Sequence, residues 1–227
     1  AVTSHNTSTL TTATMTNFAI AGSAPPTTSG TPGGTTSPPG GTSATPLSQL
    51  DIGSPLLAGS TSFDGNSGIY YMKAAGNDIW GTADQFQFAY RQVSGNCTLI
   101  ARFDSLSPTN IWAKAGLMIR GSLTGGSAHA SLFVTPGVGV VQQARVSTNG
   151  ESISTSPAPG IAPQWLKLVR NGSAFTSYRS SNGSTWDYID SFTVSLPNSV
   201  YVGLAATSHE AATATNAIFS NLSITSP

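Results

Sequence analysis

Hydrolysis of a glycosidic bond needs two carboxylates facing each other across it, roughly 5–10 Å apart. This chain of 227 residues offers seven aspartates and two glutamates. Glu151 and Glu210 have no acid beside them, and Asp187 and Asp190 stand three positions apart. In an extended chain that spacing sends the two side chains to opposite faces. The expectation is therefore a protein that is not an enzyme. Asp78 and Asp84 flank Trp80 in the Gly-containing stretch 76–86. Oxygen-rich groups of this kind suit a structural Ca2+, but they equally cap a tight turn, and the turn is the preferred reading. No other cofactor is expected. His129, His209 and Cys97 are scattered, so neither a metal site nor a Cys/His nucleophile follows.

The four tryptophans, Trp80, Trp112, Trp165 and Trp186, offer flat apolar faces of the kind that stack on a pyranose. Asp78, Trp80, Asp84, Trp112 and Trp186 form the candidate set for glycan or Ca2+ contact. Core or turn packing is the default for each indole, with one or two left exposed. Lys114, Arg120, Arg102 and Arg145 recur beside apolar residues; pairing with the few acids, or lying along the sheet surface, is expected of them.

These side chains must be positioned by strands. Gln85–Tyr90 alternates strictly, with Phe86, Phe88 and Tyr90 on one face. Cys97, Leu99, Ala101 and Phe103 form another single-face set, which makes Cys97 a buried core thiol. Further short strands are predicted over 138–143, 165–169, 174–178, 186–189, 201–205 and 218–224, punctuated by pairs such as Asn149-Gly150, Asn171-Gly172 and Asn182-Gly183. No window carries a helical stripe. About a dozen strands in one large two-sheet sandwich follow for residues 49–227.

Charge is scarce: nine basic and nine acidic side chains cancel. With no basic stripe, nucleic acid is not an expected partner. No apolar run is long enough to span a bilayer as a helix, and membrane insertion is not expected. Ser, Thr and Asn stand where Lys and Glu would be usual, which favours an extracellular, secreted or cell-surface setting. The sequons at Asn6, Asn96, Asn171, Asn182 and Asn221 permit N-glycosylation.

Residues 21–48 are a Thr/Pro/Gly/Ser linker without an aromatic ring or a charge. Before them, residues 1–20 align without a gap on residues 205–224, nine of twenty positions being identical. Ser4, His5 and Asn17 match Ser208, His209 and Asn221, while Met15 and Phe18 match Phe219 and Leu222. Residues 1–20 thus read as the terminal strand of a preceding repeat, or as a donor strand for another copy. His5, Leu10, Met15, Asn17, Phe18 and Ile20 are its assembly residues. His5 and His209, sharing one repeat position, suggest a structural histidine.

The stretches 76–86, 112–120, 142–145, 163–170 and 180–186, with His129, together resemble the concanavalin A-like lectin/glucanase jelly-roll module of the regulation-of-enolase type found in exported bacterial surface proteins. The resemblance spans residues 50–225 and implies an all-β, two-sheet jelly-roll β-sandwich. Hydrolytic members of that superfamily carry Glu-x-Asp-x-x-Glu on one strand, a pattern this chain lacks; Asn182 stands where the family's hairpin usually has Asp. Two functions remain in view. One is a non-catalytic extracellular structural or adhesive repeat, joining copies of itself or tandem modules head to tail into a fibre or sheath through the strand 1–20. The alternative is a carbohydrate-binding module attached to a secreted polysaccharide-active enzyme.

Overall fold

The computed structural model describes residues 46–226. Residues 1–45, and with them the 1–20 repeat, Asn6 and most of the linker, lie outside the described residues. Fourteen strands follow in chain order: β1 (Ser48–Ile52), β2 (Ser60–Asp64), β3 (Ile69–Gly76), β4 (Phe86–Ser94), β5 (Cys97–Leu106), β6 (Lys114–Arg120), β7 (His129–Thr135), β8 (Gly139–Arg145), β9 (Ser152–Ser154), β10 (Gln164–Asn171), β11 (Ala174–Ser180), β12 (Asp187–Thr193), β13 (Ser199–Thr207) and β14 (Glu210–Thr225). They form two seven-stranded antiparallel sheets, ordered β1-β4-β13-β6-β7-β8-β9 and β12-β11-β10-β5-β14-β3-β2. The architecture is the all-β jelly-roll sandwich that the alternating stretches predict.

Period-two alternation fills the space between the sheets. Ala115, Leu117 and Ile119 of β6 and Ala130, Leu132 and Val134 of β7 meet Leu99, Phe103, Leu166, Leu168, Phe175 and Phe219 of the opposite sheet. Cys97 belongs to this core, and burial pushes its thiol up to about 11. One polar bridge crosses it: Gln142 Nε2 donates to the Phe175 carbonyl at 2.8 Å, and Ser177 Oγ donates to Gln142 Oε1 at 2.8 Å. Both ends of that amide are satisfied, as burial requires.

The outer face of the first sheet is also buried. Phe86, Phe88, Met118, Phe133, Val141 and Ala205 gather there under Ile52 and Ile79. The cover comes largely from the connection 77–85, which returns tightly enough that a Cβ on Gly76 would lie 2.1 Å from the Gln85 carbonyl oxygen, at a φ of +134°. Only glycine accepts both conditions. The Gln85 amide then donates to the Asp78 carbonyl at 2.7 Å, closing the loop.

β14 is an inner strand, bonded to β5 on one side and β3 on the other. The β14 residues shared or matched with 1–20 are largely its buried ones, Thr215, Ala217, Phe219, Leu222 and Ile224, and Ser208 in the turn before it is buried too. Asn96, Asn171, Asn182 and Asn221 are all exposed, although the Asn96 side chain accepts from the Gly172 amide at 2.8 Å and Asn182 Oδ1 caps its own turn.

Candidate functional site

At one end of the covered face a cavity of about 440 Å³ stays open, lined by Asp78, Trp80, Trp112, Lys114, Gln143, Ser154 and His209. Six segments converge to build it: the β3–β4 loop, the β5–β6 loop, the first residue of β6, the strands β8 and β9, and the β13–β14 turn. The two indoles are its exposed apolar surfaces, Trp80 at 40% and Trp112 at 37% relative exposure. Lys114 and Gln143 are buried in its floor. A cleft of a few hundred Å3 with apolar walls and a few convergent polar groups is the usual form of a small-ligand site.

Asp78 organises the polar end. Its Oδ1 accepts from Lys114 Nζ at 2.6 Å and from the Ile79 amide at 2.7 Å, and Oδ2 lies 3.2 Å from His209 Nε2. Lys114 Nζ also donates to the Ile79 carbonyl at 3.0 Å and lies 5.6 Å from the centre of the Trp80 ring. Burial pushes the Lys114 ammonium below the ordinary lysine range; the Asp78 carboxylate works against that shift. His209 adopts a positive φ of 55° at the β13–β14 turn, which turns it towards Asp78. The histidine that the repeat marked as structural thus also lines the cavity.

Behind the cavity lies a buried charge cluster. Asp84 accepts from Arg145 at 2.5 and 2.8 Å in bidentate fashion, and Arg120 Nη2 stands 3.5 Å away. All three side chains are fully buried. Arg145 also donates to the carbonyls of Trp80, Gly81, Gly125 and Ser127. That guanidinium therefore fixes the backbone carrying Trp80. The Arg120 guanidinium lies 5.0 Å from the Phe86 ring centre, and desolvation pushes it down to about 10.

The expected site set is divided by this arrangement. Asp78, Trp80 and Trp112 come together. Asp84 does not join them: it lies buried between two arginines and faces no ligand. Trp186 lies just before β12 and does not line the cavity; Lys167 Nζ sits 4.4 Å from its ring centre. Asp78 pairs with Lys114 and lies against His209, Asp84 lies between two arginines, and no group of three or more His, Cys, Asp or Glu suited to a metal occurs among the described residues. Arg120, Arg145 and Lys114 form buried pairs instead of lying along the sheet surface, while Arg102 makes its expected surface pair with Asp104. From the sequence alone Gln143 has no role in a site and His209 only a structural one. Each stands in an otherwise ordinary strand or turn, and only folding brings them to the indoles.

The chain matches no family model and no curated protein. Solved structures do share its fold. A functionally unknown protein from Saccharomyces cerevisiae superposes with a TM-score of 0.61 at 20% identity, over 79% of this chain and 96% of that one. The carbohydrate-binding module CBM66 from Bacillus subtilis gives 0.51 at 15% identity, over 80% and 97%. The GH43 protein BlXynB from Bacillus licheniformis gives 0.53 at 16% identity, over 69% of this chain but only 33% of its own length. At such identities the likeness is one of fold.

Proposed function

We propose that this protein is a non-catalytic carbohydrate-binding module that holds a sugar unit in the Trp80/Trp112 cavity. The observation that carries this reading is the pairing of two half-exposed indoles with a floor of buried polar side chains. A sugar presents both surfaces that such a site rewards, an apolar C–H face and a rim of hydroxyls. The sandwich fold shared with a carbohydrate-binding module supports the reading. Asp78 is the single carboxylate lining the cavity among the described residues, and a hydrolytic pair needs two. The regulation-of-enolase resemblance belongs to the same proposal, as do an extracellular setting and attachment to a larger secreted protein.

Trp80→Ala and Trp112→Ala should each weaken retention on an immobilised polysaccharide about tenfold or more, equivalent to about 1.4 kcal/mol. Calorimetric titration with the oligosaccharides retained by the unaltered protein measures this directly. Equal affinity in both variants would remove the proposal.

The gapless repeat favours a second reading, in which residues 1–20 join copies head to tail by strand addition. In the described module the equivalent place is filled by its own β14, bonded on both sides. Exchange would therefore require that strand to leave. On this reading, a chain lacking residues 1–20 elutes as monomer where the full chain elutes as a larger species; identical elution would count against assembly through this strand.

A further inference from the structure

The Gln143 amide is the anomaly of the cavity floor. Gln143 is 3% exposed, and its Oε1 is buried with no hydrogen-bond partner. Its Nε2 donates to no acceptor among the described residues either, although the backbone carbonyl of the same residue accepts from Ser131 Oγ at 3.2 Å. Gln142, the preceding residue, points the other way and satisfies both ends of its amide. An amide left unpaired in a buried position costs about 1–3 kcal/mol. Gln143 also lines the cavity, so a molecule entering there can supply what the protein does not.

The geometry points to Gln143 as the residue that selects the ligand, by taking two neighbouring hydroxyls of an uncharged sugar. This rests on the sugar-binding reading and narrows it. One hydroxyl donates to Oε1 and the next accepts from Nε2, once a turn about the soft terminal torsion of the side chain brings the buried Oε1 to the cavity. A carboxylate ligand meets only half of that need, because it accepts and cannot donate, which leaves Oε1 unpaired. The remaining charged groups do not call for an anion. Lys114 already gives two of its three hydrogens to Asp78 and the Ile79 carbonyl, and Asp78 already accepts from Lys114 and the Ile79 amide, with His209 Nε2 3.2 Å from its other oxygen. The ion pair is largely satisfied within itself, and the Gln143 amide is the polar group of the floor left without a protein partner.

The test is a titration panel on the full chain: neutral xylo-, cello- and fructo-oligosaccharides against acidic oligogalacturonides and oligoalginates. At least one neutral series should bind, with the acidic ones at least tenfold weaker. Gln143→Leu, of similar volume, should lose about tenfold or more in affinity for that neutral sugar while its thermal midpoint does not fall, since an unpaired amide has been removed from the interior. Gln143→Glu keeps the acceptor and should retain more neutral-sugar binding than Gln143→Leu. Preference for the acidic series, or unchanged neutral binding by Gln143→Leu, would overturn the role of Gln143 and leave the sugar-binding reading standing. Failure of every saccharide to bind the unaltered protein would overturn both. A Gln143→Leu protein that loses its cooperative thermal transition would mark the residue as structural, and that too would overturn the assignment.

Discussion

Asp84→Ala is expected to destabilise the sandwich by about 3–5 kcal/mol, the cost typical of breaking a buried ion pair from one side. The carboxylate bridges Arg145 and Arg120 with all three side chains out of solvent. Burial raises the Asp84 carboxyl above the usual carboxylate range, and the hydrogen bond and charge of Arg145, with Arg120, oppose that rise. Removing it leaves two guanidinium groups in the interior with no carboxylate between them. Arg145 keeps its backbone acceptors at Trp80, Gly81, Gly125 and Ser127, but these are neutral dipoles. Asp84→Asn preserves shape and should lose somewhat less, because an amide oxygen still accepts from one arginine. Urea unfolding of the three proteins, followed by tryptophan fluorescence, gives the difference. A loss below about 1 kcal/mol for Asp84→Ala would mean that water reaches the arginines readily and that the cluster is not buried as described. Because Arg145 holds the Trp80 carbonyl, the same substitution should also weaken sugar binding, acting through position and not through contact.

The strands were legible where alternation is strict. Phe86, Phe88 and Tyr90 stand on one face of β4 as their spacing predicts, and Cys97, Leu99, Ala101 and Phe103 on one face of β5. β6 and β7 gave no such signal, because both of their faces are buried. The outward positions of β6 hold Lys114, Gly116, Met118 and Arg120, a row whose logic appears only once the 77–85 loop covers it. For the same reason Asp84 looked like a partner of Asp78. The two are six positions apart in one loop, yet one faces the cavity and the other the interior. The indoles could be nominated by type; choosing Trp80 and Trp112 over Trp186 required knowing that the β3–β4 and β5–β6 loops meet at the cavity and the β11–β12 connection does not. Gln143 and His209 are long-range members of the site, and a single sequence carries no trace of an unpaired amide.

Stability should fall as the solution is acidified below neutrality, and His129 should account for up to about 2 kcal/mol of that fall between about pH 7.5 and pH 5. The imidazole is fully buried on β7, between Arg120 of β6 and Arg145 of β8 in the sheet register. Its Nδ1 is 3.4 Å from Ser131 Oγ, and Nε2 has no partner among the described residues. Desolvation holds its pKa well below the ordinary value of 6.5, and Arg120, Arg145 and Lys114 push in the same direction. Those cations, with Asp84 drawing the arginines together, are the charged groups facing it from the adjoining elements. The folded protein therefore keeps His129 neutral in a range where the unfolded chain protonates it. Above about pH 6.5 neither state binds the proton and the contribution of His129 is whole. As the pH falls below that value the unfolded state gains a proton that the folded state refuses, and stability drops by up to about 1.4 kcal/mol per pH unit. His129→Leu removes the titrating group while keeping an apolar body of similar size. Urea midpoints at the two pH values should therefore fall less in His129→Leu than in the unaltered protein, because His209 and the carboxylates are common to both. Equal falls would show that the folded protein accepts the proton on His129, and that the face lined by Lys114, Arg120 and Arg145 is far better solvated than its burial implies.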